Sequence, residues 1–406
     1  MTDPTPPDLQ RLLAAELTRR RFLRGAGASA LSLSALIAAC GGGGLESGAP
    51  STTAAEKASA IAKGEVAREL SVSNWPLYID VDENTKRRPT LDGFERKYGT
   101  TVTYTEEIND NTEFFGKVRQ QLAQGSSGGR DIVVLTDWMA ARMIALGYAQ
   151  KLDRGELPNV EANLRDALSS PGFDPERQFT VPWQTGMTGL VYRRDLVKGD
   201  LTSVADLFDP RFKGKVTFLT EMRDSVGLVM LGEGADPAKD GTDPALAAIE
   251  KIDKASRDGQ IRRFTGNDFS KDLLKGDAWV SVGWSGDAIQ LQAENPDIRF
   301  VQPEEGFMLW SDNMLVPVGA PQAYTAQKFI DYVYDPKVQA NIAAYVNYVT
   351  PVDGVKAVLA EQDPELAENP LIFPEDSDLE RARIFRDLSP KEETALDEAF
   401  QRVVGA

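Results

Sequence analysis

Residues 131–147 read Asp-Ile-Val-Val-Leu-Thr-Asp-Trp-Met-Ala-Ala-Arg-Met-Ile-Ala-Leu-Gly. The apolar run Asp131–Leu135 predicts a buried strand, and a helix from Trp138 to Leu146 follows it and stops at Gly147. Working outward, Leu70–Asn74 and Thr101–Thr105 read as strands. Thr90–Tyr98 reads as a helix closed by Gly99, and Thr112–Ala123 as a helix with Phe114, Phe115, Val118 and Leu122 as its apolar positions. The second half repeats the theme, with strands at Gly189–Arg193, Lys215–Leu219, Ala278–Gly283 and Asn313–Val318. Helices are predicted at Asp224–Leu231, Pro244–Lys254, Gly286–Ala293, Tyr324–Tyr334, Pro336–Tyr345 and after Pro390. Strand–helix alternation of this kind predicts an α/β fold with a parallel sheet covered on both faces. No internal sequence repeat accompanies it.

Composition narrows the chemistry. The chain has 406 residues, no histidine, one cysteine and a formal charge of −17. Without histidine there is no Ser-His-Asp or Cys-His machinery and no His-ligated zinc. One cysteine makes no internal disulfide, Cys₂ metal site or CxxC redox pair. The acidic balance argues against nucleic acid as a partner and favours cationic ligands. With histidine absent, any pH response comes from carboxylates, at pH well below 7.

The first forty residues read as an address. Thr18-Arg19-Arg20-Arg21-Phe22-Leu23-Arg24 resembles a twin-arginine export motif, with Arg19 and Arg20 as the pair. The apolar stretch Ala26–Ala39 that follows is too short to span a bilayer, which takes about 20 residues. It ends in Ile37-Ala38-Ala39-Cys40, which resembles a lipobox in which the Cys40 thiol takes a diacylglycerol. Residues 1–39 are thus expected to be a signal peptide. Removing them takes away five arginines and three acidic residues and moves the formal charge to −19. Residues 40–67, rich in Gly, Ser, Thr and Ala, read as a flexible tether. About 25 such residues span roughly 25–30 Å, enough to let an anchored domain stand off a membrane. Gly25-Ala26-Gly27-Ala28-Ser29-Ala30 fits a dinucleotide fingerprint, but an arginine run stands where the preceding strand is required.

Ligands of open α/β sheets sit beyond the carboxyl ends of strands. Polar and aromatic residues at those places are Trp75 and Tyr78 after the first strand, and Thr136, Asp137 and Trp138 after the third. Glu221 and Asp224 follow the Lys215 strand, Trp284 and Asp287 follow the Ala278 strand, Trp310 and Asp312 precede the Asn313 strand, and Tyr348 follows a helix. Tryptophans beside carboxylates suit an organic cation. Each ring face adds about 0.5–2 kcal/mol of cation–π attraction. A carboxylate and an ammonium about 4 Å apart attract by roughly 4 kcal/mol at an effective dielectric near 20, before desolvation. Trp183 and Trp279 read as core, and Asp137 as a cap for the helix it precedes.

Catalytic and metal motifs fail one by one. Gly283-Trp284-Ser285-Gly286-Asp287 is one residue short of GxSxG. Asp80-Val81-Asp82-Glu83-Asn84-Thr85 begins like a calcium loop, but Thr85 stands where glycine is required and Leu91 where the closing glutamate is. There is no phosphate loop. The pair Glu221 and Asp224 is all that a carboxylate-dependent hydrolase would have to work with. No catalytic residue, metal site or cofactor is expected.

Asn74-Trp75-Pro76-Leu77-Tyr78, Asp131-Ile-Val-Val134, Val181-Pro-Trp183 and Leu207-Phe-Asp-Pro-Arg-Phe-Lys-Gly-Lys215 together resemble the spermidine/putrescine-binding proteins of ABC importers. So do Gly283-Trp-Ser-Gly-Asp287, Glu305-Gly-Phe-Met-Leu-Trp310-Ser-Asp312 and Tyr348-Val-Thr-Pro351. The resemblance runs through most of the chain after Arg68. It implies a two-lobed, type II periplasmic-binding-protein-like fold, each lobe an α/β sandwich, with crossovers near Gly186–Gly189 and Trp310–Val316. Lobe 1 is then expected to comprise 68–186 plus 313–350, and lobe 2 187–312 plus 351–406. The resemblance implies that Trp75, Tyr78, Thr136 and Trp138 line one wall and that Trp284 and Trp310 sandwich a methylene chain. It gives Asp312 an amine to hold, makes Asp287 the acidic version of its motif, and places Glu221 and Asp224 in the second lobe and Tyr348 at the lobe junction. One departure stands out: Leu77 occupies a position that is acidic in many members; either Asp80 or Asp137 replaces it, or the ligand carries fewer charges at that end. The implied molecule is a monomeric, exported, lipid-anchored receptor on the outer face of the cytoplasmic membrane or in the periplasm. It would hand a polyamine to the permease and ATPase subunits of an importer. The alternatives are the same fold holding ferric iron or an opine-like or sugar compound, a secreted hydrolase, or a surface adhesin or sensor.

Overall fold

The computed structural model describes residues 59–82 and 84–405; Arg19, Arg20, Cys40 and most of the expected tether lie outside the described residues. The strands are β1 (Glu69–Asn74), β2 (Thr101–Glu106), β3 (Ile132–Thr136), β4 (Thr180–Arg193), β5 (Val216–Leu219), β6 (Ile261–Thr265), β7 (Val280–Trp284), β8 (Ile298–Val301), β9 (Phe307–Leu315) and β10 (Ala382–Arg383). They form one continuous path in the order β2-β1-β3-β9-β4-β7-β5-β6, with β8 on β4 and β10 on β9.

The sheet is mixed rather than parallel. β1 is parallel to β2 and β3, and β5 is parallel to β6 and β7. Between these halves β4 and β9 run antiparallel to each other and to their outer neighbours β7 and β3. The cause is topological. The chain enters the second half along β4 and returns along β9, so the two strands point opposite ways.

Apolar alternation builds a lobe on each half. On β3, Ile132 and Val134 enter one core with Leu70 and Val72, while Val133 and Leu135 enter another on the opposite face with Phe114 and Met139. This is the period-two pattern of a strand covered on both sides. The second half has its own core, built on Val216, Phe218, Val280 and Val282. Between them lies a small cluster of Met187, Phe307 and Val349.

Two boundaries differ from expectation. Residues 59–67 belong to the first lobe: Ile61 is buried, its N–H donates to the Lys151 carbonyl, and the Ala67 N–H donates to Thr325 Oγ1. The stretch 351–406 is also divided. Val352, Val355, Leu359 and Ala367 join the first lobe's core, whereas Leu396, Ala399, Phe400 and Val403 join the second's. The chain therefore crosses a third time, between Ala367 and the last helix, Pro390–Val404. That helix starts with a reciprocal Ser389–Glu392 capping box and a proline in its first turn.

Candidate functional site

Three strand-to-helix junctions converge from opposite directions on the middle of β4 and β9, where Thr136 at the end of β3 lies opposite Asp312 and Trp284 at the end of β7 lies opposite Thr188. β3 runs directly into the helix Asp137–Ala145, β5 leads through Glu221 into Met222–Gly232, and β7 into Ser285–Glu294. With the turn after β1 they border a cleft of about 1120 Å³ between the lobes. Trp75, Tyr78, Thr136, Trp138, Glu221, Asp224, Trp284, Asp287, Trp310, Asp312 and Tyr348 all line it. Trp183 is core, as expected, and its Nε1–H supports the Tyr78 carbonyl from behind at 3.1 Å.

Trp310 and Asp312 lie within β9 rather than before it, one on each side of Ser311. Asp312 is 4% exposed. It accepts hydrogen bonds from the Tyr78 hydroxyl at 2.9 Å and from Thr136 Oγ1 at 2.7 Å. Burial pushes its carboxyl up to about 7, against the pull of those two donors. Asp224, 5% exposed, accepts from Thr188 Oγ1 and from Trp284 Nε1, both at 2.8 Å. Burial raises it to about 6. Glu221 stands at the N-terminus of its helix, and burial together with the neighbouring Asp224 charge raises it to about 8. Asp287 accepts from the Tyr348 hydroxyl at 2.6 Å. The expectation that carboxylates would respond only well below pH 7 is corrected here: desolvation moves three of them into the neutral range.

Aromatic rings connect these acids. Trp284 and Trp310 meet edge to face at 6.2 Å, Trp310 and Tyr348 lie 5.6 Å apart, and Tyr348 meets Tyr78 at 5.6 Å. Two glycines make room for them. A Cβ on Gly186 would come within 2.3 Å of the Trp310 ring, and one on Gly286 within 2.3 Å of the Tyr348 ring. The broken GxSxG pattern is therefore a packing motif: its last glycine admits a tyrosine that holds the following aspartate.

Leu77 also lines the cleft and adopts a left-handed backbone (φ 58°), a conformation that leucine seldom takes. Of the two proposed replacements for an acid there, Asp137 borders the cleft and Asp80 does not. Asp80 is buried and accepts the Thr90 N–H at the start of a helix, and Asp137 is bonded to β9. Asp137 does not cap its helix, since Thr136 occupies the N-cap position.

Several participants escape the sequence. Thr188 links Trp310 Nε1, which donates to it at 3.0 Å, to Asp224. It lies inside β4, whose start the sequence pattern places too late. At the cleft mouth Arg142 of the first lobe pairs with Glu393 at 2.9 Å and Asp397 at 3.7 Å on the last helix, and Arg223 pairs with Glu393 at 2.8 Å. Both guanidinium groups lie over the Trp138 ring, at 5.2 and 4.2 Å from its centre. Trp138 thus lines the cleft while its ring is engaged by cations of the protein itself. Only contacts between distant segments reveal these residues. Among the described residues no group of His, Cys, Asp and Glu has the makings of a metal site.

Residues 90–374 match the family described as bacterial extracellular solute-binding protein. The chain is 30% identical over 342 residues to the putrescine-binding periplasmic protein PotF of Escherichia coli, covering 78% of this chain and 86% of the relative. It is 27% identical over 316 residues to spermidine/putrescine-binding periplasmic protein 1 of Haemophilus influenzae, covering 77% and 84%. The fold is shared with the spermidine/putrescine ABC transporter substrate-binding protein PotD of Streptococcus pneumoniae, with a TM-score of 0.68, 23% identity and coverage of 83% of this chain and 98% of the other.

Proposed function

The chain belongs to the bacterial extracellular solute-binding protein family, and from that membership we propose that it captures a polyamine of the putrescine/spermidine class outside the cytoplasm and delivers it to an ABC transporter. The observation that carries this reading is the placement of Asp312 and Asp224. Each is nearly fully buried in the cleft wall, each is held by two donors, and Trp284 and Trp310 meet edge to face beside them. Buried carboxylates suit ammonium groups, and indole faces suit the methylene chain between them. Trp75, Tyr78, Thr136, Trp138, Glu221, Asp287 and Tyr348 complete the proposed ligand wall.

Binding requires no covalent chemistry, metal or cofactor, and we read the protein as a receptor rather than an enzyme. Its partners in this reading are the permease and ATPase subunits of an importer, met by a monomer. Export follows the twin-arginine pair Arg19 and Arg20, and a lipid on Cys40 holds the receptor at the outer face of the cytoplasmic membrane. Closure of the lobes desolvates the ammonium–carboxylate pairs and makes the loaded receptor distinct from the empty one. The test is a thermal-shift screen against putrescine, cadaverine, spermidine and spermine. A ligand present at 100 times its dissociation constant adds about 2.7 kcal/mol of stability. A melting temperature unmoved by all four amines overturns the reading.

A further inference from the structure

Asp137 leaves the same junction as Thr136, yet its carboxylate turns to β9. Its Oδ2 accepts the Ser311 backbone N–H at 3.0 Å, and its Oδ1 accepts Asn313 Nδ2–H at 2.8 Å. These two donors flank Asp312 on either side. Asn313 is fixed in turn from behind, because its Oδ1 accepts from Arg177 Nη1 at 2.7 Å. Arg177 is 2% exposed and is itself held by the Leu168 carbonyl, at 2.9 and 2.6 Å, and by Thr180 Oγ1 at 3.0 Å. The neighbouring strand offers less than usual here, since the register of β4 against β9 shifts between Pro182 and Gln184, the residues opposite Asn313 and Asp312. Side chains therefore do part of the work of a strand ladder at this point.

We infer that Asp137 is a positioning residue for the ammonium-binding carboxylate of Asp312, gripping β9 on both sides of it and so fixing where that carboxylate stands in the cleft. Each Asp137 oxygen is bonded to β9 although the side chain also borders the cleft, so coupling to Asp312 is what separates a positioning role from contact with the ligand. The arrangement also has an electrical side. Asp312 faces Tyr78 and Thr136, which draw its carboxyl down, and Asp137 and Asp224, whose charges push it up. Arg177 partly offsets the charge on Asp137.

The inference rests on the polyamine reading for one of its two tests. The first is a double-mutant cycle read by calorimetry with putrescine. Asp137→Asn places an amide donor against the Asn313 amide donor, and weakens binding about tenfold in the parent but less than about twofold in an Asp312→Asn background. Equal losses in both backgrounds, or no loss in the parent, overturn the inference, because a general structural role would not depend on Asp312. Should Asp137→Asn fail to fold, Asn313→Ala removes the same grip from the β9 side, and its loss of affinity likewise shrinks to less than about twofold in the Asp312→Asn background; equal losses in both backgrounds count against the inference. The second test needs no ligand. A crystal structure of the empty Asp137→Asn receptor shows the Asp312 carboxylate displaced from the Tyr78 hydroxyl and Thr136 Oγ1 that it meets in the parent; an unmoved carboxylate overturns the inference. A parent that binds no amine defeats the polyamine reading alone, and the position of that carboxylate still decides the role of Asp137.

Discussion

Replacing Asp312 by asparagine removes one charge and almost no volume. The variant keeps acceptors for Tyr78, and Thr136 can reorient its hydroxyl toward the new amide, so the cleft should keep its shape. What it loses is the pairing, about 4 kcal/mol for charges about 4 Å apart at an effective dielectric near 20. Burial pushes the carboxyl of the empty receptor up to about 7. Ionising it for the ligand therefore costs little at pH 8 and progressively more as pH falls through 7. The loss on substitution at pH 8 is bounded above by about 4 kcal/mol. It should not fall below about 1.4 kcal/mol, a tenfold weakening, because the ligand ammonium stays desolvated without its partner. In the parent, binding weakens as pH falls through 7, and the Asp312 share of that slope vanishes in the variant. Stability moves the other way. An acid whose pKa is raised on folding binds more protons folded than unfolded, so it erodes stability as pH rises from about 4 to about 7. Asp312→Asn should then raise the melting temperature of the empty receptor by a few degrees at pH 8 and hardly at all at pH 4. Calorimetry in buffers of different ionisation enthalpy reads affinity and proton release together. Unchanged affinity with an unchanged pH slope refutes the assignment of Asp312.

Leu77→Asp should raise affinity for spermidine relative to putrescine, since aspartate tolerates the left-handed backbone there and adds a charge to the cleft lining. A ratio of the two affinities that does not move means that Leu77 does not face the ligand. Glu393→Gln should loosen the pair with Arg142, which joins the first lobe to the last helix, and enlarge the radius of gyration of the empty receptor in small-angle scattering; an identical profile means that this pair does not hold the lobes together. Cys40→Ser should shift the protein from the membrane fraction to the soluble one, and continued membrane retention removes the lipid anchor from the proposal.

Much of the cleft was legible because its residues sit where strand patterns end. Trp75, Thr136, Glu221 and Trp284 follow apolar runs that alternation alone identifies, and strand ends in an α/β sheet converge. Trp310 and Asp312 were found for a partly mistaken reason, as a prelude to a strand of which they form the middle. Phe307–Leu315 carries five polar or half-buried positions in a row, Leu309 to Asn313, so its middle lacks the periodicity of a strand. Thr188, Arg142, Arg223 and Glu393 were not legible. Their roles depend on tertiary neighbours 36 to 251 positions away, which no local pattern encodes. Asp137 shows the same limit, since helix-capping logic fits its position while its carboxylate reaches across to β9.

The third crossing of the chain has a consequence for how the molecule comes into being. The first lobe's core reaches from Ile61 to Ala367, and the second lobe's from Leu190 to Val403. A polypeptide leaving the ribosome cannot finish its first lobe until nearly all of the second has also emerged. The second waits longer still, for Leu396 and Phe400, whose ring meets Phe264 edge to face at 6.0 Å. Neither lobe is a separable genetic cassette. A truncation before the last helix strips the cover from a core made two hundred residues earlier, and an exchange of whole lobes between relatives needs three junctions in the gene rather than two.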